Sequence, residues 1–109
     1  MFGKKNRITS SVVFKEVFSQ GEGKEKEGFK IIFKKNNLEY SRCGVIVSMQ
    51  VSKSAVQRNI LKRKIKNILR DFLSGFSKGL DFVIIAKSES LKMNFSKLRD
   101  SLNRLLNLL

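Results

Sequence analysis

Histidine, proline and tryptophan are absent from this chain, cysteine occurs once, and only nine residues are acidic. Each absence closes a class of explanation. Without histidine there is no imidazole general acid or base and no histidine-containing metal site. Cys43, as the single cysteine, has no partner for an intrachain disulfide. No apolar run approaches the roughly 20 residues that span a bilayer, and without tryptophan a common headgroup anchor is missing. With no proline, no repeat and no low-complexity linker, residues 1–109 read as one domain, with residues 1–8 as a basic, partly mobile arm. The opening residues are basic but precede no apolar segment, so they do not read as a secretory signal, and the expected setting is cytoplasmic and reducing.

What is present is positive charge. Lysine and arginine number 23 against nine acids, giving a net charge of +14 and a pI of about 10.4. Hydrophobic residues make up 41% of the chain, enough for a real core in a domain of this size. A foldable chain with this excess is expected to meet a polyanion, nucleic acid ahead of an anionic membrane.

The cations are concentrated between Arg58 and Arg70. At 100° per residue, Leu61, Ile65, Ile68, Leu69 and Phe72 share one face of a helix. Arg58, Lys62, Lys66 and Arg70 follow one another at i+4 steps on the neighbouring face, flanked by Asn59 and Arg63. No acid occurs between Glu39 and Asp71. A face serving solubility alone would mix signs, and like charges at i,i+4 repel by a few tenths of a kcal/mol per pair. A row of phosphates would relieve that repulsion.

The remaining pattern alternates helix and strand. Thr9, Ser10 or Ser11 can cap a first helix that reaches about Gln20 and stops at Gly21 and Gly23. Lys24–Gly28 alternates in charge and reads as a solvated loop; Phe29–Lys34 reads as a strand, Lys35–Asn37 as a turn, and Leu38–Tyr40 as a strand extension or edge. Cys43–Ser48 is a short buried strand in which Cys43 is a small buried hydrophobe. Ser52 or Ser54 can cap the basic helix, which ends near Ser74-Gly75. Asp81–Lys87 reads as a fully buried strand, and Asn94 caps a last helix with Phe95, Leu98, Leu102, Leu105 and Leu109 on one face, widened by Leu106. The segment between Val45 and Val83 is long enough for a crossover between parallel strands. The expected class is α+β, helices packed on one mixed sheet.

No catalytic set emerges. Serines lack a base other than lysine, carboxylates are scattered, and no P-loop pattern occurs. The expectation is therefore no catalytic residue, no metal ligand and no small-molecule substrate, with function carried by the basic helix. A DNA-groove helix, an RNA-binding surface, a ribosomal or RNA-chaperone protein and a merely solvated face all share this charge. Phe14 and Phe18, at i,i+4 on the first helix beside Val13 and Val17, can fill a core or line a cleft where an unpaired base stacks.

Four segments in order carry a resemblance. Ala55-Val56-Gln57-Arg58-Asn59-Ile60-Leu61-Lys62-Arg63 is similar to an A-x-x-R-N-R-x-K-R box; Arg42-Cys43-Gly44-Val45-Ile46-Val47-Ser48 to an R-x-G-x-x-V-S strand; Asn6-Arg7-Ile8 with Phe14-Lys15-Glu16-Val17-Phe18 and Gly21 to R-L…F-x-x-V-F-x-x-G; and Asp81-Phe82-Val83-Ile84-Ile85-Ala86 to D-F-V-V-I-A. Together they resemble the protein subunit of bacterial ribonuclease P over nearly the whole chain. That resemblance implies a two-layer α/β sandwich of three helices on a mixed four-stranded sheet, with a left-handed βαβ crossover of a kind also found in a ribosomal protein domain. It implies a catalytic RNA as partner, precursor tRNA as substrate, Mg²⁺ held through the RNA rather than by the protein, and removal of the tRNA 5′ leader. Contact with the catalytic RNA would carry to Arg58, Asn59, Lys62 and Arg63, with Lys66, Arg70 and Lys53 as extensions. A leader-binding cleft would carry to Phe14 and Phe18, then Lys30, Ile32 and Ser48. Ile60 stands where the family has arginine, Met49 and Gln50 where it has two lysines, and Val51-Ser52 where a glycine is common; Lys53 and Lys64 are nearby cations that compensate.

Overall fold

A computed structural model describes residues 4–76 and 78–109; residues 1–3 of the expected arm lie outside the described residues. After a 3-10 turn at Lys4–Asn6 come helix α1 (Ser11–Gln20), strands β1 (Glu22–Lys26), β2 (Phe29–Lys35) and β3 (Arg42–Ile46), helix α2 (Ala55–Ser74), strand β4 (Leu80–Ala86), a 3-10 turn at Ser88–Lys92, and helix α3 (Phe95–Leu106). The four strands form one mixed sheet in the order β1-β2-β4-β3. β2 is antiparallel to both β1 and β4, whereas β3 runs parallel to β4, so α2 is the crossover that a parallel pair requires and for which the segment is long enough.

Strand alternation divides the core. Phe29, Ile31, Phe82, Ile84 and Cys43 point to one face, where Leu61, Ile65, Ile68 and Leu69 of α2 and Leu98, Leu102, Leu105 and Leu106 of α3 cover them. Ile32 and Val83 point to the other, where Val17 of α1 and Ile8 close a smaller cluster with Val13, Phe14, Ile46 and Ile85 at its margin. The caps fall on the residues whose side chains can accept: Ser10, Ser54 and Asn94 receive the amides of Val12, Gln57 and Lys97.

Two expectations are corrected. Lys24–Gly28 is not a loop: Glu22–Lys26 is a strand, wholly exposed and held by pairing to β2 from Glu22↔Phe33 to Lys26↔Phe29, with Gly28 at φ 85° closing the turn. Leu38–Tyr40 is not a strand. Asn36 donates to the Tyr40 carbonyl (3.1 Å) and to Asp81 Oδ1 (2.9 Å) and accepts from the Leu38 amide (2.8 Å), while Asn37 takes a left-handed φ of 60°, so the chain bends where a strand would have to stay straight.

The start of the parallel pair is locked by charge. Arg42 donates from Nε (2.8 Å) and Nη2 (2.6 Å) to the two oxygens of the buried Asp81, a fork-to-fork pair that also raises the affinity of Arg42 for its proton. Residues 4–8 run beside this region. Lys5 lies 5.1 Å over the Tyr40 ring, Asn6 donates to the Ser41 carbonyl (2.8 Å), and the Ile8 amide donates to the Cys43 carbonyl (3.0 Å).

Cys43 is buried, and burial pushes its thiol up from 9.0 to about 12, against a weaker opposite pull from Lys66. A thiol whose folded value is raised stabilises the fold below its unfolded value and loses that contribution as pH rises from 9.0 toward about 12. We expect the native chain to react with a thiol reagent near pH 8 roughly a thousandfold more slowly than the unfolded chain. Equal labelling rates with and without denaturant would contradict this burial.

Candidate nucleic-acid interface

The buried stripe of α2 fixes which side of the helix is left for a partner. With Leu61, Ile65, Ile68 and Leu69 turned to the sheet, Asn59, Lys62, Arg63, Lys66 and Asn67 line a shallow outer groove of about 220 Å³. Among the described residues none of these cations has an acidic partner. The first turn of α2 carries no acid either, so the positive end of the helix dipole adds to the cationic face instead of being offset by it.

The two ends of the expected ladder differ from its middle. Arg58 folds back, donating from Nη1 to the Ser52 carbonyl at 2.9 Å, and so braces the loop that leads into the helix. Arg70 lies 3.9 Å from Asp71, an exposed pair worth little. Lys53 is exposed just ahead of the Ser54 cap, and Ile60 is 45% exposed on the side of α2 that faces Leu91 and Met93 rather than in the groove. Asn67, which adds a neutral donor and acceptor to the groove, was not among the expected residues; its i+4 relation to Arg63 is the signal that could have found it.

A second surface lies across the sheet. Helix α1 crosses the row Ile32–Val83–Gly44, and the Phe14 ring rests directly on Gly44: a Cβ there would stand 2.6 Å from the ring Cζ. Glycine at position 44 is therefore the seat for Phe14. The next row, Lys30–Ile85–Ile46, is half-buried and forms the open floor of a cleft beside α1. At the opposite end, Lys34 meets Glu16 (3.7 Å) and Gln20 (3.1 Å) of α1 and closes the cleft.

Phe14, Lys30 and Ile32 thus share one face of the sheet, with Ile32 buried under α1. Phe18 is 46% exposed, belongs to neither core and stands at the rim. Ser48 is exposed beyond the end of β3, its carbonyl accepting the Val51 amide at 3.0 Å. Val17, not Phe18, is the helix residue that fills the core.

The geometry is an acid-free cationic groove on a helix on one side of a small sheet and a half-open cleft on the other. The family model for Ribonuclease P matches residues 2–109. This chain belongs to the ribonuclease P protein family. Its place in tRNA 5′ processing follows from that membership. The ribonuclease P protein component of Thermotoga sp. (strain RQ2) is 35% identical over 109 residues, covering 96% of this chain and 92% of the relative. That of Petrotoga mobilis is 39% identical over 94 residues, covering 86% and 78%. The solved RNase P protein from Thermotoga maritima, in complex with 1-(4-fluorophenyl)-2-thiourea, superposes with a TM-score of 0.86 at 31% identity over 94% of this chain and 99% of that one. The Staphylococcus aureus RNase P protein, at 23% identity, shares the fold with a TM-score of 0.86 over 94% of each chain. Within this ribonuclease P fold the α2 groove and the α1 cleft lie on opposite faces of one sheet. No helix among the described residues is long and apolar enough to cross a membrane.

Proposed function

We propose that the chain lays the α2 groove on the catalytic RNA of ribonuclease P and holds the 5′ leader of precursor tRNA in the cleft beside α1. The observation that carries this reading is the pairing of an acid-free cationic groove with a separate half-buried strip floored by Lys30, Ile85 and Ile46. The groove suits a phosphate backbone. The strip, with Phe14 at its side, suits the face of an unstacked base. In this reading Arg58 and Lys53 shape and charge the entry to α2, Asn59, Lys62, Arg63 and Lys66 meet the RNA, and Arg70 extends the contact. Phe14, Phe18, Lys30, Ile32 and Ser48 mark the course of the leader. Bond cleavage belongs to the RNA, with Mg²⁺ bound there; a chain without histidine and without a base beside a nucleophile contributes binding and orientation. The place of action is the cytoplasm, where precursor tRNA is processed.

The test is reconstitution of the full chain with a bacterial ribonuclease P RNA at low millimolar Mg²⁺. Faster cleavage at the mature 5′ end is expected. Tight RNA binding without any stimulation would instead favour a ribosomal or chaperone role. In the assembled enzyme, Phe14→Ala should cost precursor tRNA about 1–3 kcal/mol more than mature tRNA, the range for one stacked base. Equal losses for the two would remove the leader from this cleft.

A further inference from the structure

We propose that a groove at the free edge of β3, between Arg7 and Lys66, is a phosphodiester site for single-stranded RNA that links the α1 cleft to the α2 face. The proposal rests on the RNA-binding reading above and assigns a site to Arg7, which that reading leaves unused. The groove has a volume of about 140 Å³ and is lined by Arg7, Phe14, Gly44, Val45 and Lys66 together with the backbone-paired Ile8 and Cys43. Arg7 reaches it from the segment ahead of α1 and Lys66 from α2, so two cations borne by different elements converge on one edge strand.

Three features identify the ligand as a phosphate. Arg7 Nε has no hydrogen-bond partner and the Arg7 side chain lines the groove, so the guanidinium keeps donor capacity for an incoming acceptor. Neither Arg7 nor Lys66 has an acidic partner among the described residues, so the groove is cationic without compensation. β3 is an edge strand whose outward carbonyl at Cys43 is taken by the Ile8 amide; by alternation the next outward amide is that of Val45, a neutral donor at the groove. A guanidinium, an ammonium and a backbone amide around a space of a few water volumes, about 30 Å³ each, match one phosphate group, and the Phe14 ring at the wall offers a surface to the adjoining nucleotide. A second copy of this chain would bring a further +14 to the same place. The phosphate could come from the leader or from the partner RNA.

The experiment uses the full chain assembled with ribonuclease P RNA and compares wild type, Arg7→Met, Arg7→Lys and Lys66→Met across a salt series. Arg7→Met should weaken binding roughly tenfold, the effect of one charge-assisted contact, and flatten the log–log salt slope by about 1. Arg7→Lys should recover part of the loss. Lys66→Met should cost less in the Arg7→Met background than alone, because one phosphate is shared. Loss confined to leader-bearing tRNA identifies the leader as the source; loss in the binary complex with the RNA identifies the partner RNA. Binding within twofold of wild type in both, while Lys62→Ala still weakens it, overturns the site. A separate measurement does not depend on the ribonuclease P reading: the Arg7 Nε–H resonance of the isolated protein should shift saturably with hexauridylate, and an unmoved resonance at saturation overturns the proposal even if cleavage is stimulated.

Discussion

Alanine at Lys62, Arg63 and Lys66 together is expected to weaken the complex with ribonuclease P RNA roughly a hundredfold at physiological salt. Each neutralised phosphate contributes about 0.7–0.9 to the log–log salt slope, and at about 0.15 M salt that amounts to about a four- to fivefold gain per contact. Three contacts give about two decades, and the slope should flatten by about 2–3. The fold should hold, because the side of α2 that packs is Leu61, Ile65, Ile68 and Leu69, and removing like charges at i,i+4 relieves a small repulsion. A charge-matched control removes Lys24, Lys26 and Lys35, all exposed and away from α2. If the control weakens binding as much as the α2 triple, net charge rather than the groove carries the affinity.

Asp81→Ala is expected to destabilise the fold by about 2–4 kcal/mol, toward the low end of what breaking a buried pair costs because Arg42 keeps some water. Asp81 accepts from Arg42 and from Asn36, so its loss strands a guanidinium and an amide and frees the loop that Asn36 ties to β4. At about 4–8 °C per kcal/mol for a domain near this size, the melting temperature should fall by about 10–25 °C. Asp81→Asn retains the shape and one acceptor and should lose about half as much. A melting temperature within a few degrees of wild type for the alanine variant would show that the pair is not holding the parallel strands in register.

The elements legible in the sequence are those whose own residues carry the periodic signal. α2 and α3 show their apolar stripes and side-chain caps, and Phe82–Ala86 of β4 is an unbroken apolar run. β1 carries no such signal: Glu-Gly-Lys-Glu-Lys is exposed throughout and becomes a strand because β2 offers it an edge. The cleft was half legible. Phe14 and Phe18 are equivalent by helical spacing, and what separates them is Gly44, thirty residues from Phe14 along the chain, whose missing side chain admits one ring and not the other. Arg7 looked like part of a loose basic arm; it is placed by backbone pairing to Cys43, which no periodicity announces. Position 60 was legible as a departure from the family, and its half-exposed isoleucine keeps the outer groove intact because Lys62, Arg63 and Lys66 line it without help.

Strand β1 has a consequence beyond completing the sheet. It lies at the edge opposite β3, and it and its turn hold Glu22, Glu25 and Glu27, a third of the chain's acids, against Lys24 and Lys26, so this edge is close to neutral in a chain of net +14. The side of the sheet that α2 covers near β3 holds the acid-free stretch instead. The protein is therefore an electric dipole as well as a polycation, and a field from a distant polyanion exerts a torque on it before any contact is made. The molecule turns its near-neutral β1 edge away and arrives with the helix groove and the β3 edge leading. A fraction of random encounters that would otherwise be unproductive is thereby brought into register during approach, with the largest gain at low salt, where the field reaches furthest.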